Sequence, residues 1–312
     1  MKVLLTGASS FTGMWFAKVL REAGHNVVVT LRSELSAYTD GRGARVESIK
    51  DTGVTVVDKC SFGDERFLAL LQEGFDVICH HGAQVTNYKS LDFDVSGAVK
   101  DNTRNARAVF ETAIQSGVKA FIATGSVFEQ DEGLGASPRR AFSPYGLSKG
   151  LSWQVFRYWG AVSDLPTHKF VIPNPFGPYE EPRFCAYLLG KWSKGEVAQV
   201  GTPNYTRDNI HVSLLAAAYH DFVARAVAGI AEEHCAPSGY IESQGAFARR
   251  FAAEIGGRLG LKADLSLADQ KEFIEPAIRV NSLHLDRQQL GWDETRAWDE
   301  LAAYYKRMYL EG

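Results

Sequence analysis

The sequence predicts an α/β protein built on a doubly wound parallel sheet, with a smaller C-terminal lobe. Three observations carry that reading. Short apolar runs alternate with segments whose apolar residues fall at helical spacing. Each run is apolar nearly throughout, as strands covered on both faces must be. The first run also passes through a glycine-bounded turn, Gly7 to Gly13, directly into a helical segment.

In chain order, Val3-Leu-Leu, ended by Thr6-Gly7, reads as a buried strand. Phe11 to Ala23 carries the first helical pattern, and Gly24 supplies its C-terminal cap. Val27 to Leu31 is a β-branched second strand. Val54 to Val57 is the third, followed by a helical pattern over Phe67 to Gln72, and Phe75 to Cys79 is the fourth. Gly97 to Ser116 reads as one long helix capped by Gly117, and Ala120 to Ala123 as the fifth strand. The regularity weakens after about residue 165, where Pro173, Pro175, Pro178 and Pro182 make a loop-rich stretch. Apolar residues return at Ile210 to Leu215 and lead into an Ala-rich helix through Ala228. The expected division is a first domain of residues 1–173, with 205–232 returning to it, and a smaller lobe of 174–204 and 233–312.

Composition narrows the function classes. The 312 residues are 45% hydrophobic and 23% charged, with a net charge of −3, an ordinary globular balance. That balance offers no basic face for nucleic acid; Arg139-Arg140 is too short a run and reads as a solvated loop. Cysteines 60, 79, 185 and 235 form no C-x-x-C pair, which speaks against zinc, and their sparse use fits a reducing cytosol. No metal site is expected. The short apolar start lacks the length of a signal peptide, and no apolar run approaches the ~20 residues that span a bilayer. The expectation is a cytoplasmic protein that works on small molecules.

The glycine turn is the first candidate site. Gly7 permits a tight turn and close backbone approach to a pyrophosphate, and the following helix N-terminus offers free N–H groups and a favourable dipole. A purely structural turn with two glycines is the alternative. Beyond the second strand, an acidic residue would bond a ribose 2′-hydroxyl, whereas an arginine accepts a 2′-phosphate. Leu31, Arg32 and Ser33 stand there and Glu34 comes later, so NADP(H) is favoured and NAD(H) remains possible. Asp58, just past the third strand, either contacts an adenine edge or ends the strand.

The second candidate is Ser143-Pro-Tyr-Gly-Leu-Ser-Lys149. Tyr145 and Lys149 are four residues apart and share one face of a helix. A nearby ammonium favours the phenolate, so the tyrosine can exchange a proton near neutral pH, while the same lysine can hold a nicotinamide ribose. A second pair, Tyr187 with Lys191, follows the proline-rich stretch and reads as a surface helix. The strand before Tyr145 ends in Ala123-Thr-Gly-Ser126, whose Thr124 or Ser126 can bond a substrate oxygen or merely cap the strand end.

These residues resemble the extended short-chain dehydrogenase/reductase family, the group of NAD-dependent epimerases and dehydratases of nucleotide sugars. The likeness rests on Thr6-Gly7 to Gly13, Asp58, His80-His-Gly-Ala83, Asn102, Thr124, Tyr145 with Lys149, Asn174-Pro-Phe-Gly-Pro178, Arg207-Asp-Asn-Ile-His-Val212 and Leu290-Gly-Trp292. It implies a Rossmann-like fold with a substrate-binding C-terminal lobe and Thr124, Tyr145 and Lys149 as the catalytic set. Around the dinucleotide it places Gly7, Ser9, Ser10, Phe11, Thr12, Gly13, Arg32, Asp58, Gly82, Ala83, Asn102, Tyr145, Lys149 and Pro173. Around a sugar nucleotide it places Ser126, Asn174 and Arg207, with Arg279 or Lys271 in place of a missing Arg-x-Gly-Asp sequence. Ser10 stands where the family has its middle glycine, which is expected to hold the loop further from the pyrophosphate. Thr124-Gly-Ser lacks the Thr-Asp-Glu triad of sugar dehydratases, which argues against dehydration. The leading expectation is an NADPH-dependent reductase of a nucleotide-linked keto sugar, at C4. The alternatives are a nucleotide-sugar epimerase with tightly bound NAD and a non-catalytic dinucleotide sensor. A homodimer through the 97–116 and 148–161 helical faces is expected.

Overall fold

The computed structural model describes residues 1–135 and 140–311; Arg139, half of the basic pair, lies outside them. In chain order the elements begin β1 (Lys2–Thr6), α1 (Phe11–Glu22), β2 (Asn26–Thr30), α2 (Asp40–Lys50), β3 (Thr55–Val57), α3 (Glu65–Leu71), β4 (Val77–His80), α4 (Val95–Asn102), α5 (Ala106–Gln115) and β5 (Ala120–Ser126). They continue β6 (Leu134–Gly135), α6 (Pro144–Ser163), β7 (Thr167–Ile172), β8 (Asn174–Phe176), α7 (Phe184–Trp192), β9 (Ala198–Val200), β10 (Thr206–His211), α8 (Val212–Val227) and β11 (His234–Cys235).

The described chain forms two compact units. The first comprises residues 1–132, 140–172 and 216–236. Its sheet has seven strands in the order β11-β7-β5-β4-β1-β2-β3, all parallel. Strand order reverses at β1, with β2 on one side and β4 on the other, so the carboxyl ends of β1 and β4 bound the switch point where open α/β sheets bind ligands. Register puts Leu4 beside Val28 and Ile78, and Ala123 beside Lys169.

Both faces of this sheet are covered. On one, Phe67 and Leu70 of α3, Val109, Phe110 and Ala113 of α5, and Trp153 and Phe156 of α6 pack on Leu4, Val28, Ile78 and Phe121. On the other, Phe16 of α1 stacks on Tyr219 of α8 at 3.8 Å, and Phe170 of β7 meets that tyrosine edge-on at 4.9 Å. This is the doubly wound architecture expected from the near-continuous apolar strands.

Four details depart from the sequence reading. The expected helix over 97–116 is two, α4 and α5, because Asn105 adopts a left-handed conformation (φ 48°) and its amide donates to Gly63 O at 2.7 Å. Helix α2 was not anticipated; only Arg45, Val46 and Ile49 of its eleven residues are buried, so its apolar stripe is too thin to read. The apolar run Ile210 to Leu215 is not one element: the strand ends at His211 and the helix starts at Val212. Finally, the return to the first unit starts at Ala216 instead of 205, because β10 hydrogen-bonds into the other unit's sheet.

The second unit comprises 133–135, 173–215 and 237–311. In its five-stranded sheet β10 pairs with β8, with Tyr240–Ser243 and with Ile278–Val280, and the last of these pairs with β6. Its core gathers Phe176, Trp192, Phe247, Phe251, Trp298 and Tyr305. All four cysteines are free and buried, and among the described residues no helix is long and apolar enough to cross a membrane.

Candidate active site

The glycine turn is built at the carboxyl end of β1. Gly7 has φ +76°, and a Cβ there would lie 2.6 Å from Gly82 N. No side chain fits, so the turn and the loop after β4 approach as bare backbone. Ser10 caps α1: its Oγ donates to Gly7 O at 2.8 Å and accepts from Gly13 N at 3.2 Å. In place of the family's glycine, the serine thus folds back on its own loop.

Ser10 also contacts His81 Nε2 at 3.0 Å, as does Thr12 Oγ1. Because the serine proton is directed at Gly7 O, the imidazole must be the donor, so Nε2 carries the hydrogen. Nδ1 is buried and unpartnered among the described residues. His80 is pinned between Thr6 Oγ1 at 2.9 Å and Asn102 O at 3.2 Å. Burial, with a smaller effect from the positive charge of Lys149, pushes both histidines down to about 3, so both stay neutral.

Asn102 is buried and committed to structure. Its Oδ1 accepts from Gln84 N at 2.8 Å and its Nδ2 donates to Ser152 Oγ at 3.2 Å, tying the post-β4 loop to α6. Asp58 Oδ2 accepts from Leu35 N at 3.1 Å, which favours its role in ordering the loop past β2. Arg32 is exposed immediately beyond the buried Leu31.

Helix α6 opens on Ser143, whose Oγ accepts from Gly146 N at 3.1 Å, and Pro144 at its first position presets the turn. Tyr145 and Lys149 follow on one face, and the Tyr145 ring is held edge-on by Tyr88 (5.6 Å) and Phe93 (6.0 Å). Lys149 shares a small cavity with Thr124, Asn102, Glu129 and Lys169. Its pKa is lowered from 10.5 to about 8, by desolvation first, with Glu129 opposing and Lys169 adding to the fall. Thr124 Oγ1, at the end of β5, is buried and faces the buried Tyr219 hydroxyl.

The rival Tyr187 sits on α7 with its hydroxyl 3.1 Å from Gln199 O, and Lys191 pairs with Glu196 at 2.6 Å. Both engage their own surroundings in the second unit, as a surface helix would. Of the sugar-side expectations, Ser126 ends β5, and its Oγ accepts from Phe128 N at 3.3 Å. Asn174 lies on β8 opposite Asn209 of β10, and Arg207 stands directly opposite Arg279. Arg207 is held by Glu275 at 3.0 Å and lies over the Tyr205 ring at 4.4 Å.

The sequence reading missed Glu129 and Lys169. A lysine inside the otherwise β-forming run Thr167–Ile172 was the available signal.

A family model described as the NAD dependent epimerase/dehydratase family matches residues 3–235. The chain belongs to that family. It is an enzyme of the extended short-chain dehydrogenase/reductase type with the family's Rossmann-like sheet. It is 27% identical over 227 residues to a UDP-glucose 4-epimerase of Mycolicibacterium smegmatis, covering 68% of this chain and 70% of that one. It is 26% identical to the low-salt glycan biosynthesis protein Agl12 of Haloferax volcanii, over 96% of both chains. Its fold matches that of the Thermotoga maritima UDP-glucose 4-epimerase with UDP-glucose (TM-score 0.71, 17% identity, 99% of both chains). It also matches the Bacillus cereus UDP-glucuronic acid 4-epimerase with UDP-glucuronic acid and NAD (TM-score 0.70, 17% identity, 99% and 100%).

Proposed function

We propose that the protein is a nucleotide-sugar epimerase that keeps NAD bound and inverts the sugar at C4. The observation that carries this is the pairing of Tyr145 and Lys149 one turn apart on α6, with Thr124 at the end of β5 lining the same cavity as Lys149. The relatives supply the class: those named for an activity are nucleotide-sugar 4-epimerases.

The residues fit a dinucleotide. Gly7, at φ +76°, turns the chain from β1 straight into the N-terminus of a twelve-residue helix, whose first N–H groups and dipole suit a pyrophosphate. In this reading Gly7, Ser9, Ser10, Phe11, Thr12 and Gly13 take the pyrophosphate, Asp58, Gly82, Ala83, Asn102 and Pro173 line the remainder, and Ser126, Asn174, Arg207 and Arg279 address the sugar nucleotide. Bound NAD supplies the hydride acceptor and, on return, the donor. Tyr145, as phenolate, removes the C4 hydroxyl proton as the hydride leaves the same carbon. Thr124 bonds the resulting carbonyl oxygen. Tyr145 returns its proton when the hydride arrives on the opposite face, so no net oxidation occurs. Lys149 holds the phenolate and the ribose.

Arg32 supports a second reading, an NADPH-dependent ketoreductase, because it is exposed where a 2′-phosphate would lie. Mass spectrometry of cofactor released from the purified protein separates the two. Tightly held NAD, with interconversion of UDP-hexose C4 epimers, supports the epimerase. An empty site preferring NADPH, with Arg32→Ala weakening NADP(H) far more than NAD(H), supports the reductase and overturns the epimerase. Leu147, Leu151, Tyr158 and Val162 are exposed along α6 and support the expected homodimer.

A further inference from the structure

Behind the Thr124–Lys149 cavity runs a chain of buried charges. Lys169 projects from β7 with 2% of its surface exposed. Its Nζ lies 2.6 Å from Glu129 Oε2 and 2.5 Å from Glu132 Oε1, and Glu132 Oε2 lies 2.7 Å from His234 Nε2. Glu129, itself fully buried, also accepts from Ser126 N at 2.7 Å, so its carboxylate is fixed to the end of the Thr124 strand. Gly125 exists to let this happen: a Cβ there would lie 2.6 Å from Lys169 Cε and 3.1 Å from Glu129 Oε1.

Burying four charged groups beside an active site is expensive, since desolvation of each ion offsets the attraction gained. Burial pushes the Glu129 carboxyl up, and the ammonium groups of Lys169 and Lys149 pull it back; with it ionised the set balances, Lys149 and Lys169 against Glu129 and Glu132. The other titratable groups facing Lys149 are His80 and His81, which burial keeps neutral, and Tyr145 on its own helix. Glu129 is therefore the carboxylate that lines the lysine's cavity.

We infer that Glu129, held by Lys169, is a positioning residue whose carboxylate keeps Lys149 in the cationic form that Tyr145 requires. The inference rests on the proposed role of Lys149. The opposing influences agree with the geometry: Glu129 raises the Lys149 pKa while burial and Lys169 lower it. Without the carboxylate, Lys149 loses its proton at lower pH, the phenolate loses its counter-charge, and the acid limb of kcat/KM moves upward. Removing Lys169 together with Glu129 deletes both opposing charges and restores the balance.

The test reads Lys149 directly. The full-length protein is labelled with an amine-acylating reagent between pH 6 and 11, and modification of Lys149 is followed by mass spectrometry. Glu129→Gln keeps shape and leaves Lys169 paired with Glu132. It should lower the Lys149 midpoint by on the order of 1 to 2 pH units, and Glu129→Gln/Lys169→Met should bring it back towards the parent. An unmoved midpoint in the single variant, or a double variant displaced as far as the single, overturns the inference. Should the single variant fail to fold, the parent decides, because a Lys149 midpoint below about pH 7, which leaves the amine neutral despite the carboxylate, overturns it equally. The labelling needs no turnover, so it stands apart from the Tyr145→Phe rate that tests the catalytic reading.

Discussion

Lys149→Met should make the protein more stable while removing its activity. The lysine titrates at about 8 in the folded chain against an ordinary 10.5, chiefly because it is desolvated. At ~1.4 kcal/mol per pH unit, that gap corresponds to a ceiling of about 3 kcal/mol for holding the ammonium in its cavity. The sign follows from proton counting. Between about 8 and 10.5 the unfolded chain binds more protons than the folded one, so stability rises with pH across that window. Below about 8 the full penalty is present; above about 10.5 both states are neutral and it vanishes. Methionine carries no charge and escapes it at every pH, although Glu129 then keeps only Lys169. Urea unfolding followed by tryptophan fluorescence, at matched cofactor content and in steps from pH 6.5 to 10.5, measures the difference. Lys149→Met should exceed the parent by up to about 3 kcal/mol at pH 7, and the gap should close as the pH rises. A gap independent of pH, or a variant less stable at pH 7, would refute the reasoning.

Tyr145→Phe should cost ~10²–10⁴-fold in kcat with cofactor affinity little changed, since the phenol serves proton transfer; parent turnover in that variant ends the proposed mechanism. Tyr187→Phe should leave kcat untouched, because its hydroxyl serves Gln199 on a separate turn of chain. Gly125→Ala drives a methyl into Lys169 and should destabilise by ~1–3 kcal/mol, read as a lowered urea midpoint; a neutral outcome would show that Lys169 moves aside freely.

Much of the first unit was legible because its signals are local. Near-continuous apolar strands at Val3, Val27 and Phe75, each beside a helical pattern, specify a parallel sheet clad on two sides. Gly7, and Tyr145 four before Lys149, could be named because turn chemistry and helical spacing are properties of a few adjacent residues. Helix α2 escaped because a stripe of three buried residues makes no periodicity. The break at Asn105 escaped because its partner, Gly63, is 42 residues away. Arg207 and Arg279 could be singled out separately, but their direct opposition is a register that only the folded sheet specifies. So it is with Glu129, Glu132, Lys169 and His234. Nothing in the order of residues says that a lysine in a strand and two glutamates some forty positions earlier share a buried site. That follows from β5 lying beside β7, and from a glycine at 125 that leaves room for the lysine to cross. The chain's local chemistry determined the class of fold and placed Tyr145 and Lys149, the proposed proton-transfer pair, on one helix face; long-range packing decided which charges surround that pair, because electrostatics depends on distance through space and burial.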